Sequence, residues 1–383
     1  MAQRTVRVIM NGVTGRMGYR QHLVRSILPI RADGGVSLTN GDRVTVEPIL
    51  VGRNAEKLAT LAAEHDVADF TTDLDQALSD SSASIYFDAQ VTTERKKSIL
   101  KAIGAGKHIY TEKPIAESVV EGAELVTAAQ EAGVINGVVH DKLYLPGLLK
   151  LKRLIDSGFF GRILSVRGEF GYWVFEGHLL PAQRPSWNYR AEDGGGMVLD
   201  MFPHWNYVLE NLFGKVQAVT ARAVTHIPER WDEQGRKYAA TADDAAYAIF
   251  ELEGDVIAQI NSSWAVRVDR GELVEFQVDG THGSAVAGLF GCRIQPRVRT
   301  PMPVWNPDLP TTEDFRSQWE QIPDNAEFGN GFRAQWEQFL SDVDAGRPHA
   351  YDLGAGVRGL QVVEAGLKSS AEGRRVAMEE YAS

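Results

Sequence analysis

The 383-residue chain is predicted to be an α/β protein in two parts. An amino-terminal parallel sheet wound with helices precedes an α+β part with a large, largely antiparallel open sheet. Three observations predict this. Strand-like runs alternate with helices of about 10–15 residues over residues 1–141. A glycine-rich turn follows the first strand. Beyond residue 141 the rhythm shifts to longer strand-like runs broken by hairpin signals.

Arg4–Met10, RTVRVIM, reads as the opening strand and Tyr19–Leu28 as the helix after the turn. Arg31–Arg43 is polar and turn-rich, a surface excursion. Val44–Val51, Ala83–Phe87, His108–Thr111 and Val134–Val139 read as further strands. Helices at Asn54–His65, Thr92–Ala105 and Val119–Ala132 fall between them. Such βαβ units imply a mainly parallel sheet, which places a first domain at 1–141 and a second at 142–383. In the second, Leu148–Asp156 is helical. Strand-like runs follow at Ile163–Tyr172, Val216–Ile227, Ala245–Val266 and Leu273–Leu289. Glu253-Gly254-Asp255 marks the third run as a hairpin, so antiparallel pairing is expected. Pro296–Gly331 lacks periodicity, and a loop that long is more often functional than accidental. Phe332–Val343 and Leu353–Ser370 read as closing helices.

Composition narrows the function classes. Apolar residues make up 44% and charged residues 24%, an ordinary globular balance. The net charge of −11 is well mixed and no basic stripe appears, which argues against nucleic acid as a partner. Cys292 is the single cysteine, so neither an internal disulfide nor a thiolate metal cluster is available. MAQRTVRVIMNG lacks a long apolar leader, and no segment offers an uncharged apolar run of membrane-spanning length. A cytoplasmic protein without a membrane partner is expected.

VIMNGVTGRMG places Gly12, Gly15 and Gly18 where the first strand gives way to a helix, with Asn11, Arg16 and Met17 between and beside them. A dinucleotide-binding Rossmann domain needs glycine there. The turn is tight, the backbone approaches a pyrophosphate, and the helix packs closely on the sheet. The helix amino terminus then donates peptide N–H groups to the anion. The spacing is G-x-x-G-x-x-G, since residue 13 is valine. After the second long strand, VEPILVGRN offers Arg53 and Asn54 where many NAD sites carry a carboxylate. Arg53 can pair with a 2′-phosphate or stack beside adenine, so the cofactor reads as NAD or NADP, with a slight lean to NADP. HIYTEKP ends a strand on the ligand-binding side of such a sheet. Pro114 keeps Lys113 out of helical geometry, where its ammonium can donate to a substrate oxygen, while Glu112 can anchor that ammonium or the cofactor ribose.

GGGMVLDMFPHW puts Asp200 and His204 four residues apart within a helix expected at Met197–Leu212. That spacing shares one helical face, although Pro203 kinks an interior or moves the helix start. An imidazole suits proton transfer near neutral pH, and the carboxylate can orient it or bind a sugar-like hydroxyl. The plainer reading is a buried histidine satisfied by an aspartate. Lys142, Tyr172, Trp173, Trp187, Tyr189 and Arg190 are further pocket candidates. No metal site is expected, because His140, Asp141, His178 and His226 lack the spacing to complete a ligand set.

Together GVTGRMG, TEKP and GGGMVLDMFPHW resemble the Gfo/Idh/MocA family of oxidoreductases, across nearly the whole chain and in motif order. The resemblance implies Lys113, Asp200 and His204 as the catalytic group. It also implies NAD or NADP as cofactor, a sugar, inositol or related polyol as substrate, and a homodimer or homotetramer. The first glycines are also similar to the G-x-x-G-R-M-G loop of dihydrodipicolinate reductases. FDAQVTTERKKSI lacks the family's frequent proline and histidine and offers Gln90, Thr92, Thr93 and Arg95 instead. The expected reaction is hydride transfer between a secondary alcohol and the nicotinamide, with Lys113 and His204 both open as the proton acceptor. A glycosidase or lyase working through transient oxidation of a sugar carbon is the rival reading, and a non-catalytic dinucleotide sensor a lesser one.

Overall fold

A computed structural model describes residues 3–302, 305–310 and 313–381. The expected Pro296–Gly331 loop therefore lies partly outside the described residues. The chain divides into two compact units, residues 1–144 with 329–360 and residues 145–328 with 361–383.

The first unit is built on β1 (Gln3–Asn11), β2 (Val36–Ser37), β3 (Arg43–Val51), β4 (Asp69–Thr71), β5 (Ala83–Asp88), β6 (His108–Thr111) and β7 (Asn136–Val138). Val8, Ile9 and Met10 of β1 are buried on both faces, as a central parallel strand requires. The order is β2-β3-β1-β5-β6-β7, with β4 also on β3. All pairs are parallel except β2 with β3. Register aligns the strand ends: Asn11 lies opposite Val51 and Asp88, and Asp88 opposite Thr111. The chain thus leaves β1, β3, β5 and β6 along one edge, where open parallel sheets bind ligands.

The helix after β1 has wide turns over Met17–Ile27, closed by a Leu28 N–H donating to the Leu23 carbonyl, and continues as α1 (Leu28–Ala32). Then come α2 (Ala55–Glu64), α3 (Leu74–Ser79), α4 (Thr92–Gly104) and α5 (Val119–Ala132). A further helix, Gly331–Asp344, buries Trp336, Phe339 and Leu340 among Phe87, Tyr110 and Leu23. The sequence groups this segment with the second domain, whereas its apolar face completes the core of the first unit.

The second unit contains α6 (Pro146–Asp156) and α7 (Met197–Leu212). Its strands are β8 (Ile163–Gly171), β9 (Val216–Val224), β10 (Glu229–Trp231), β11 (Lys237–Ala239), β12 (Ala245–Leu252) and β13 (Val256–Ser263). They continue as β14 (Val274–Gly280), β15 (Gly283–Ala287), β16 (Cys292–Pro296), β17 (Glu320–Gln321) and β18 (Val376–Ala377). Nine of these form one sheet, β17-β16-β15-β14-β8-β13-β12-β9-β18. It is antiparallel throughout except where β8 meets β13. The run Leu273–Leu289 is two strands. The tip between them docks on the backbone, Thr281 N–H to Arg162 O at 3.0 Å and His282 N–H to Phe160 O at 2.9 Å. Counting Gly331–Asp344 as α8, the last helix is α9 (Leu353–Glu372).

Helix α7 lies on the middle of the large sheet. Its Trp205 packs against Phe170 and Phe276 and donates through Nε1 to Ser262 at 2.9 Å. The other face leaves Tyr247, Ile249 and Ile257 exposed. No described helix is long and apolar enough to cross a membrane.

The glycine turn is the tightest local feature near the ligand-binding edge. Gly12 has φ +83°, and a Cβ there meets the Ala89 carbonyl carbon at 2.6 Å. A Cβ on Gly18 meets the Gly12 carbonyl oxygen at 2.6 Å. At Gly15, with no positive φ, the nearest atom is 3.3 Å away. Gly12→Ala is therefore expected to cost about 2 kcal/mol of stability and to weaken coenzyme binding, with Gly15→Ala costing clearly less stability. Thermal unfolding of the two variants beside the parent checks the ranking; equal losses contradict it.

Candidate active site

In the first unit the sequence-predicted residues gather along the edge set by the strand register. Asn11 ends β1 and donates its side-chain amide to the Tyr86 hydroxyl at 2.9 Å. Tyr86 in turn donates to Asp88 at 2.6 Å. Arg16 lies exposed where the helix begins, and Met17 opens that helix. Arg53 is exposed just beyond β3. Asn54 caps α2 by accepting the Lys57 N–H at 2.8 Å, and the Lys57 ammonium donates to the Thr14 carbonyl within the glycine turn at 2.8 Å. Thr92 and Thr93 open α4.

Arg95 ties this edge together, a role its sequence context does not announce. Its Nε donates to Asp88 at 3.1 Å, one terminal nitrogen donates to Gln90 O at 2.7 Å, and the other donates to Pro114 O. Asp88 is wholly buried. Burial pushes its carboxyl up, against the pull of Arg95 and the Tyr86 hydrogen bond. One guanidinium thus fixes the β5 exit and the Thr-Glu-Lys-Pro turn relative to each other. The Lys113–Pro114 peptide is cis.

Glu112 is buried, with Oε1 2.8 Å from His22 Nε2 and Oε2 accepting the Lys113 N–H at 3.2 Å. Burial alone pushes its carboxyl up. The His22 hydrogen bond and the charges of Lys113 and Arg95 outweigh burial and hold it below the ordinary range. Both Glu112 carboxyl oxygens thus have a hydrogen-bonding neighbour, His22 Nε2 and the Lys113 N–H.

A dinucleotide fits this edge. The Gly12 and Gly18 positions have no room for a side chain, so peptide backbone stands where a pyrophosphate approaches. Gln90 Oε1 is buried without a hydrogen-bond partner among the described residues, an acceptor left for a bound group. Arg53 has no ion-pair or hydrogen-bond partner among the described residues, and no carboxylate occupies residues 52–54.

In the second unit, each glycine before α7 has its own cause. Gly194 has φ +75° and Gly196 φ +132°, while a Cβ on Gly195 meets the carbonyl oxygens of Trp187 and Asn188 at 2.5 Å. The helix begins at Met197 and runs through Pro203. Asp243 makes that start possible: its carbonyl accepts the Met197 N–H at 2.9 Å and its carboxylate the Val198 N–H at 2.8 Å. Asp200 and His204 sit one turn apart, with His204 Nδ1 2.7 Å from the Tyr207 hydroxyl. Asp200 accepts from Arg184 at 2.9 Å. Arg184 also donates to Asn188 at 2.8 Å and stacks 4.3 Å over the Trp264 ring.

The aromatic candidates separate. Trp187 is 49% exposed, whereas Tyr189 is fully buried with the Arg230 guanidinium 3.9 Å over its ring. Tyr172 follows β8, its N–H on Ser263 O at 3.2 Å, and Trp173 lies 3.5 Å beneath Arg267. Arg190 stacks 4.4 Å over Tyr238 and stands 3.7 Å from Asp193. Lys142, in the first unit, stands 3.7 Å from Asp141. Among the described residues no group of three or more His, Cys, Asp and Glu side chains is placed to hold a metal ion. Arg95, Arg184 and His22 carry more of this geometry than sequence reasoning assigns them. The only signal for Arg184 is its place four residues before Asn188 in the stretch leading to the glycines.

Chemically, the first unit offers an anion cradle beside a fixed carboxylate and lysine, and the second an imidazole and an ion-paired carboxylate on one helical face. Known proteins share this build. Residues 31–140 match the oxidoreductase family with an NAD-binding Rossmann fold, and residues 148–286 match the Gfo/Idh/MocA carboxyl-terminal domain. The chain is 63% identical over 375 residues to a D-xylose dehydrogenase of Paenarthrobacter nicotinovorans, covering 97% of both chains. It is 20% identical to scyllo-inositol 2-dehydrogenase (NADP(+)) of Bacillus subtilis over 88% of this chain and 90% of that one. A solved levoglucosan dehydrogenase in complex with NADH and levoglucosan shares the fold, with TM-score 0.80 and 18% identity, covering 98% of this chain and 99% of that one. The chain belongs to the Gfo/Idh/MocA family of oxidoreductases.

Proposed function

We propose that this NAD(P)-dependent oxidoreductase is a sugar dehydrogenase that oxidises a ring carbinol of D-xylose or a closely related pentose. The observation that carries the reading is the 63% identity to a D-xylose dehydrogenase along 97% of both chains. When bound, the nicotinamide supplies the hydride acceptor, which no side chain can replace.

The chain's own groups supply the rest. In this reading His204 takes the hydroxyl proton, and its Nδ1 contact with Tyr207 sets the ring orientation. Lys113 stabilises negative charge growing on the substrate oxygen, an effect strongest where the ammonium is already oriented and water is excluded. Asp200, held by Arg184, accepts from a neighbouring hydroxyl of the sugar. Trp187, which is half exposed, is read as a stacking surface for the sugar, with Tyr172, Arg190 and Lys142 as secondary contacts. Asn11, Gly12, Gly15, Arg16, Met17, Gly18, Asn54, Gln90, Thr92, Thr93 and Glu112 form the coenzyme side.

We read Arg53 as a partner for a 2′-phosphate, which favours NADP over NAD. Its exposure and the absence of a carboxylate at residues 52–54 support this. A homodimer or homotetramer formed through the large sheet is part of the same proposal, supported by exposed Tyr247, Ile249 and Ile257 on one face. The cytoplasm, where diffusible coenzyme is available, is its proposed compartment.

Two experiments test this reading. D-Xylose with NAD+ or NADP+ is expected to generate absorbance at the reduced-nicotinamide band, and Lys113→Met to lower kcat about 1,000-fold with coenzyme still bound. Sugar cleavage without net reduced coenzyme favours a lyase instead. A Lys113→Met variant as fast as the parent rejects the assigned role. Separately, Arg53→Ala is expected to raise KM for NADP+ about tenfold or more while leaving that for NAD+ nearly unchanged. Equal effects on both coenzymes remove Arg53 from phosphate recognition.

A further inference from the structure

We propose that His22 and Trp336 are positioning residues for Lys113, acting through Glu112 as a fixed hydrogen-bond relay. The proposal rests on the reading of Lys113 as a participant in the dehydrogenase reaction.

The relay's direction follows from donor chemistry. An indole N–H donates and cannot accept, and Trp336 Nε1 lies 2.9 Å from His22 Nδ1. His22 Nδ1 therefore presents its lone pair, and the ring hydrogen is on Nε2. That nitrogen lies 2.8 Å from Glu112 Oε1, to which it donates. Glu112 Oε2 accepts the Lys113 backbone N–H at 3.2 Å. Both carboxylate oxygens are acceptors, so Glu112 cannot turn without breaking one bond. The turn carrying Lys113 is thereby held from its own backbone.

Among the described residues the imidazole's two ring nitrogens face only Trp336 Nε1 and Glu112 Oε1. His22 is fully buried and Glu112 is 6% exposed. The His22 ring packs between Phe87, at 4.3 Å, and Phe332, at 5.1 Å. The proposed proton transfers do not use it. Three elements distant in the chain meet here: the helix after the glycine turn, the end of β6, and α8. Removing the imidazole leaves the indole N–H and Oε1 without their present partners, which buried groups resist strongly. A bulky aliphatic residue would fill the same space more simply, so the polar chain is assigned to orientation.

The test is steady-state kinetics on the full chain with D-xylose and saturating coenzyme. His22→Leu is expected to lower kcat at least about tenfold, as misplacement of a reacting group does, with little change in KM for the sugar. His22→Gln, whose amide can accept from the indole and donate to Glu112, is expected to restore kcat to within about threefold of the parent. In a Glu112→Ala background, His22→Leu is expected to add less than about twofold, because residues acting through one another are not additive. Trp336→Phe keeps an aromatic ring, and carries the test if His22→Leu does not fold. Its kcat is expected to fall about threefold or more, and the His22 ring ¹⁵N shifts to lose the single Nε2–H tautomer of the parent. Parent-like kcat in His22→Leu overturns the relay, as does parent-like kcat and tautomer in Trp336→Phe. A His22→Gln variant as slow as His22→Leu, or a full further loss in the Glu112→Ala background, overturns it too. Lys113→Met at parental speed rejects the role of Lys113 on which the relay rests. A slow Lys113→Met beside a fast His22→Leu defeats the relay alone.

Discussion

The buried guanidinium of Arg95 is the constraint on which the candidate site of the first unit depends. It joins Asp88, Gln90 O and Pro114 O, while Tyr86 links Asp88 back to Asn11 at the end of β1. Three strand exits are thus referred to one cation. A buried ion pair is a poor source of net stability, because desolvation consumes most of the attraction. Its value lies in geometry. The parallel register brings the strand ends to one edge, and Arg95 fixes the loops beyond them, where register no longer acts.

The second unit meets a related problem by other means. Helix α7 starts from a backbone that three glycines make possible, and Asp243 receives its first peptide N–H groups. Asp200 and His204 then follow at fixed phase on a helix anchored by Trp205 to the middle of the large sheet. Pro203 removes one backbone donor, yet the helix continues. Burial of Phe202, Trp205 and Val208 around it offsets the lost hydrogen bond. Arg184 adds what the helix alone lacks. It holds Asp200 from outside α7 and packs its own flat cation on Trp264. A carboxylate so held has its orientation fixed by the protein itself.

Local order was legible where local chemistry sets it. The glycine turn, Asn54 at the start of α2, the Glu253–Asp255 turn and the bounds of α5 and α7 follow from neighbours within a few residues. The single run Leu273–Leu289 hid a turn because Thr281-His282 docks on residues 160 and 162, a contact with no local signal. Placing α8 needed the partners of Trp336, and His22 lies 314 residues away. The same distance hid the relay behind Glu112: TEKP identified the carboxylate, but nothing nearby named what holds it. Arg95 was visible only as one of four residues standing in place of the family's proline and histidine, with nothing to name Asp88 or Pro114 as its partners, and Arg184 only as one basic residue in a loop. Pair geometry between remote segments is what motif and periodicity cannot carry.

The central claim is that the chain removes hydride from a sugar carbon and delivers it to a nicotinamide. Isotope transfer tests this most directly. Uniformly deuterated D-xylose and unlabelled oxidised coenzyme are incubated with the enzyme, and the reduced coenzyme is examined by mass spectrometry. The account predicts reduced coenzyme carrying one deuterium for each sugar oxidised. Sugar consumed while the coenzyme stays oxidised, or reduced coenzyme free of deuterium, would contradict it.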